Sequence, residues 1–268
     1  MIQLPDDVKA INPNPEADGI QLPFVAPVFW WKNGDKRMSH DNGVQYFGGW
    51  EGNEDDIRDA MIENGELPED FVLDSRMGNE GAYSVYSRRS LTVVPIKARK
   101  RWVDSRSHSQ TLCLLGLPKE GGGFKVWGTI VLTAKGYATD RLSEAIKAWT
   151  VHTKPMRLEH APNVPSWYFW QALGTSGEFV EESVGKSIKS NITPISAFLP
   201  KMNKELLEKV YVGNDLARKI SELEEQAKEW ATDNRWLKNE TEETAPIAQT
   251  PVTAETMDAE MDVDAAFP

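Results

Sequence analysis

The sequence predicts an α+β protein: a β-barrel or sandwich core of short strands, elaborated with helices and followed by a disordered acidic C-terminal tail. Three observations carry that prediction. Short apolar, β-branched and aromatic runs recur between glycine-rich turns from residue 24 to residue 133. The stretch 203–238 is rich in Glu, Lys, Leu and Ala at helical spacing. After Asn239 the composition shifts to Thr, Glu, Ala, Asp and Pro, which cannot offset the entropy of ordering. The chain thus divides into an irregular arm over 1–22, a β-rich body over 23–200, a helical segment over 201–238 and a tail over 239–268.

The arm carries Pro5, Pro13, Pro15 and Gly19 among polar neighbours. Residues 24–31 (FVAPVFWW) read as a strand, with Pro27 confining it to an edge or a bulge, and Asn33-Gly34 as a turn. Residues 54–66 space Ile57, Ala60 and Met61 helically before Asn64-Gly65, which predicts a short acidic helix. Strands follow at 81–86, 91–96 and 109–117, and the last meets 124–133 across PKEGGG as a hairpin. Thr139 is the expected cap of a helix over 139–150, with Leu142, Ala145, Ile146 and Trp149 along one side. An aromatic strand is expected over 166–173, and 178–180 as a further pairing segment. The helical pattern from Leu206 to Trp230 breaks near Gly213, which predicts two helices.

Composition narrows the function classes. The single cysteine, Cys113, excludes an internal disulfide and a polythiolate metal site, and fits a reducing, cytoplasmic setting. No window approaches the ~18 apolar residues of a membrane span, and the first residues lack the pattern of a secretory signal. The net charge is -11, yet eight acids lie after Lys238, where no Lys or Arg follows, so the preceding residues carry only -3 of it. A nearly balanced body keeps phosphate binding open. Ten tryptophans, several beside cations, raise the odds of a stacking surface.

The densest positive stretch is 86–106, where Arg88, Arg89, Lys97, Arg99, Lys100, Arg101 and Arg106 face only Asp104. With 91–96 as a strand, the two cationic groups lie at its ends, roughly 20 to 25 Å apart at ~3.3 Å per residue. Tyr86 and Trp102 interleave with these charges, the combination that unpaired nucleic acid exploits by stacking bases and pairing phosphates. The plainer reading is a charged edge that guards a strand against aggregation. Trp30, Trp31, Lys32 and Arg37 repeat the pattern, and alternation along a strand lets only one of the two tryptophans face outward.

The final residues, MDAEMDVDAAFP, place acids before an apolar tip. This segment resembles the tail of bacterial and phage single-stranded DNA-binding proteins, although here Phe267 precedes Pro268 and not the reverse. The resemblance implies that Asp258, Glu260, Asp262 and Asp264 steer toward a basic-rimmed pocket on replication or recombination partners, which Phe267 and Pro268 fill. It covers about a dozen residues; on composition alone the tail reads as a solubilising acidic segment.

Enzyme signatures are thin. His40, His108, His152 and His160 are scattered, the His40-Asp41 pair reads as a turn, and Asp55, Asp56 and Asp59 as the solvated side of a helix. Gly185-Lys186-Ser187 lacks the upstream glycine of a phosphate-binding loop, since Val180 stands there. The expectation is a non-enzyme with no cofactor and no metal. It would bind single-stranded DNA without base preference on a core resembling the oligonucleotide-binding fold, and homo-oligomers are open to it. The alternatives are a strand-annealing recombination protein that forms rings or filaments through 203–238, and a protein-binding adaptor without nucleic-acid affinity.

Overall fold

The computed structural model describes residues 22–78, 81–103, 106–175, 177–184, 188–232 and 236–237. The expected arm, apart from Leu22, and the expected tail with Asp258, Glu260, Asp262, Asp264, Phe267 and Pro268 lie outside the described residues, as does the Gly185-Lys186-Ser187 motif. In chain order the elements are β1 (Val28–Asn33), β2 (Gly48–Asn53), α1 (Glu54–Asn64), β3 (Val72–Gly78), β4 (Gly81–Arg88) and β5 (Ser90–Val103). Next come β6 (Arg106–Pro118), β7 (Phe124–Lys135), α2 (Tyr137–His160), β8 (Gln171–Gly174), β9 (Val180–Val184) and β10 (Ile188–Ile192). The chain closes with β11 (Ser196–Ala197), α3 (Lys204–Val210), α4 (Asn214–Gln226), α5 (Lys228–Thr232) and β12 (Trp236–Leu237).

The protein is mixed α+β, dominated by a large, mostly antiparallel sheet in the order β11-β8-β5-β6-β7-β1-β2-β4-β3, with β12 alongside β5 and a separate β9-β10 pair. Parallel pairing occurs where β1 meets β7 and where β12 meets β5. The chain runs from β4 into β5 through Arg89 alone, so one residue joins the two ends of the run β5-β6-β7-β1-β2-β4. The sheet therefore curls: the Trp50 indole on β2 reaches across and donates to the Leu173 carbonyl on β8 at 2.9 Å.

Alternation explains the packing. Phe29 and Trp31 of β1, Trp50, Leu91, Val93, Cys113, Leu115, Ile130 and Leu132 point to the inner side and form the main buried cluster. Ile57 and Ala60 of α1 and Leu142 and Ala145 of α2 close it. The other face of the same strands is buried too: Val94 and Leu114 pack with Trp170, Leu207, Ile220 and Leu223, and Leu112 and Val131 with Ala227 and Trp230. Burial on both faces is why residues 111–117 read as a continuous apolar run rather than an alternating one. Gly116 sits under the Trp170 ring, where a Cβ would stand 2.6 Å from the ring.

Several expected boundaries move. The strand expected at 91–96 extends to Val103, so the KARKR cluster lies within β5 rather than beyond its end. Pro95, which has no N–H to give, is tolerated because the β5-β6 register shifts between Pro95 and Lys97, leaving Ile96 as a bulge. Thr139 does not cap α2. The helix starts at Tyr137, and the Thr139 hydroxyl instead ties it to the sheet through the carbonyls of Ser107 and Ala134. The same helix continues through Pro155 to His160, well past 150; the bond the proline cannot make would go to Val151, which is exposed. Residues 166–168 form a 3-10 turn, and the expected strand begins only at Gln171. The break near Gly213 (φ 85°) separates α3 from α4, with α5 as a third helix. No helix among the described residues is long and apolar enough to cross a membrane.

Candidate nucleic-acid interface

The outer side of β5-β6-β7-β1 carries two cross-strand rows. In the first, Arg99 pairs with Gln110, Gln110 with Thr133 and Thr133 with Trp30. In the second, Arg101 pairs with His108 and His108 with Lys135, while Lys32 lies two residues beyond Trp30 on the same side of β1. Directly opposed residues project on one side of a sheet, so the two rows form a patch about four strands wide, roughly 14 Å at ~4.8 Å per strand. Trp30, Lys32, His108, Gln110, Thr133 and Lys135 are all partly exposed.

Bulging at Ile96 sets this up. Ile96 packs on the outer side, and past the bulge Lys97, Arg99 and Arg101 face that side as well, whereas Lys100 turns the other way. Arg99 is largely buried: its Nε donates to Gln110 Oε1 at 2.8 Å and its guanidinium lies 4.3 Å over the Trp230 ring of α5. Arg101 is also largely buried. Both line a cavity of about 300 Å³ whose remaining wall includes Phe24, Val28, Val131 and Trp230.

The residues expected to bind nucleic acid are therefore divided. Trp30, Lys32, Arg99 and Arg101 share the patch. Lys97 lies on the same side of β5 but forms an ion pair with Glu224 of α4 at 2.7 Å. Trp31 is interior, packed edge-on against Trp50 at 5.1 Å between centroids, so Trp30 is the outward member of the pair. Tyr86 packs against the inner cluster, and Arg88 stacks at 4.6 Å on Phe71 and pairs with Asp70. Burial holds the Arg88 guanidinium below its ordinary pKa against the opposing pull of Asp70. Lys100 approaches Asp140 of α2 at 3.9 Å, Arg37 pairs with Asp35, and Arg89 lies 5.4 Å over the Phe47 ring. The backbones of Trp102 and Arg106 pair with Ser107 and Val103. The cations from Arg88 to Arg101 do not share one surface, because a strand sends neighbours to opposite sides and the turn at Arg89 aims the flanking cations elsewhere.

A buried polar network bounds the patch on its β2 side. Glu51, opposite Trp30, accepts from Arg76 Nε at 2.8 Å, Arg76 Nη2 at 2.6 Å and the Tyr46 hydroxyl at 2.9 Å. Asp74 accepts from the Ser87 hydroxyl at 2.7 Å, from the Asp41 amide at 3.1 Å and from Arg76 at 3.2 Å, and lies 2.7 Å from His40 Nδ1. Burial alone would raise the Asp74 carboxyl, but the hydrogen bonds from Ser87, His40 and Asp41 prevail and hold it below the ordinary range. Burial, together with the neighbouring Glu51 carboxylate, drives the Tyr46 phenol well above its usual value. Burial also lowers the Lys32 ammonium, with Glu51 opposing. Together these bonds pin loop 34–47 to the sheet and place a rigid wall beside Trp30 and Lys32.

Sequence reasoning weighed His108 only as one of four scattered histidines and passed over Gln110, Thr133 and Lys135. In β7, Val131, Thr133 and Lys135 alternate with the buried Ile130, Leu132 and Ala134, and that alternation alone marks an outward side. What it cannot give is which outward residues of β5 and β1 stand beside them. No family model, curated protein or solved structure matches the chain.

Proposed function

We propose that this protein binds single-stranded DNA without base preference, along the outer side of β5-β6-β7-β1. The observation that carries the reading is the row Arg101, His108 and Lys135 with Trp30 and Lys32 beside it: cationic and hydrogen-bonding side chains on adjacent strands for phosphates, and an amphipathic ring for a base. Neither a phosphate contact nor stacking reads base edges, which is why no sequence preference is expected.

The topology supports the same reading. With β4 and β5 taken as one long bent strand, the run β5-β6-β7-β1-β2-β4 returns to the strand it starts from, an order compatible with a barrel in which β6 and β7 are the second and third members of a meander and β1-β2 is the remaining hairpin, parallel-paired to β7. Barrels of the oligonucleotide-binding kind take their ligand across the second and third strands, between the loop after the first strand and the loop of the last hairpin. Here β6 and β7 carry the patch, and loop 34–47 follows directly on β1 beside it. The acidic segment with Asp258, Glu260, Asp262, Asp264, Phe267 and Pro268 is the proposed recruiting element for replication or recombination partners.

Titration of the intrinsic tryptophan fluorescence with an oligothymidylate tests the proposal. Quenching that weakens as salt rises is expected, because Trp30 lies within the cationic rows. No change at low salt overturns it.

A further inference from the structure

We propose that Phe47 and Phe179, flanked by Lys36 and Arg89, form a second stacking subsite that extends the path of the bound strand beyond Lys32. The inference rests on the single-stranded DNA reading and adds where the strand goes next. The two rings lie 5.5 Å apart between centroids, tilted by 41°. Lys36 Nζ stands 5.6 Å from the Phe179 centroid, and the Arg89 guanidinium 5.4 Å from that of Phe47. Both phenylalanines are partly exposed, and Lys36 and Arg89 are exposed. Four separate stretches of chain converge here, namely the two ends of the β1-β2 loop, the β4-β5 junction and the segment before β9.

Its place in the fold ties this cluster to the patch. Asn33 pairs with Gly48, so Phe47 begins where β1 ends, and Lys32 is only two residues from Gly34, about 7 Å along the strand. Close approach fixes the arrangement. At Gly34 a Cβ would stand 2.5 Å from the Phe47 carbonyl carbon, and Gly48, at φ 81°, would place one 2.8 Å from the Thr193 hydroxyl, which itself accepts from the Gly34 amide at 2.6 Å. The platform is thus held at a set position at the end of the cationic row. Two tilted rings, each with a cation over it, suit a base that stacks against the ring pair while its flanking phosphates draw Lys36 and Arg89 onto themselves. The nearby carboxylate of Asp35 is already engaged by Arg37, while Glu178 beside Phe179 is exposed.

The test compares wild-type protein with Phe47→Leu/Phe179→Leu, which keeps apolar volume and removes the aromatic faces. Binding is measured for oligothymidylates of about 4 and about 12 nucleotides, lengths within the range one such barrel covers. The expected result is unchanged affinity for the short strand and a loss of about 5- to 30-fold for the long one. A Lys36→Gln variant, on an exposed side chain, should lower the salt slope for the long strand by about 0.7 and leave that of the short strand alone. Wild-type affinity of the leucine variant for the long strand overturns the subsite while the binding reading stands. Equal losses for both lengths also overturn it, since the rings would then belong to the primary contact. Failure of the wild-type protein to bind either length removes both proposals.

Discussion

Replacing Lys32 and Lys135 together by Gln removes two cations from the β7-β1 side of the patch while leaving Arg99 and Arg101, whose side chains are packed into the fold, in place. With Lys135 and Lys32 each neutralising one phosphate, the pair contributes about -1.4 to the wild-type salt slope, at roughly -0.7 per contact for a single strand. The double variant should be shallower by about that amount, and its affinity at 0.1 M salt should fall by about 1.4 log units, roughly 25-fold, relative to a 1 M extrapolation at which the two proteins converge. The assay is fluorescence anisotropy of a labelled oligothymidylate across a salt series. Lys204→Gln/Lys209→Gln serves as the control, because it removes the same net charge from exposed positions on α3. Should the control and the patch variant change the slope equally, only net charge would be at work and the patch would be the wrong surface. An unchanged slope in the patch variant would refute the reasoning as well.

The buried network beneath loop 34–47 yields two further predictions. Arg76→Met strands the Glu51 and Asp74 carboxylates away from water and should cost about 3–5 kcal/mol in urea denaturation. Adding Glu51→Gln should recover part of that loss, whereas strict additivity of the two changes would mean that the pair does not interact. Asp74, held below its ordinary value in the folded state, contributes stability that is fully present above about pH 4 and is lost as pH falls through its folded value. Asp74→Asn should therefore flatten the acid limb of the stability profile, and an identical limb in the variant would assign acid unfolding to other groups.

How far the sequence reaches is plain from particular residues. Alternation and turn residues mark the β6-β7 hairpin, the acidic helix ending at Asn64-Gly65 and the helix break at Gly213, because those signals are local. Strand β2 (GGWEGN) escapes such reasoning, since glycines carry no propensity for a strand and its pairing with β1 and β4 is what makes it one. Charge segregation along the chain is likewise readable, but cations adjacent in sequence are not neighbours in space. A period of two sends Arg99 and Lys100 to opposite sides, and a one-residue bulge at Ile96 decides which of them joins Trp30.

By itself the sequence determined an α+β chain with one cysteine, a cation- and tryptophan-rich body and an acid-rich final stretch. Only the tertiary structure decided that Trp30 and Thr133, more than a hundred positions apart, stand side by side, and that Trp31 is core while Trp30 is not. The physical reason is register. Hydrogen-bonded pairing between distant strands is fixed by the total burial of both faces, a sum over the whole molecule that no window of sequence contains.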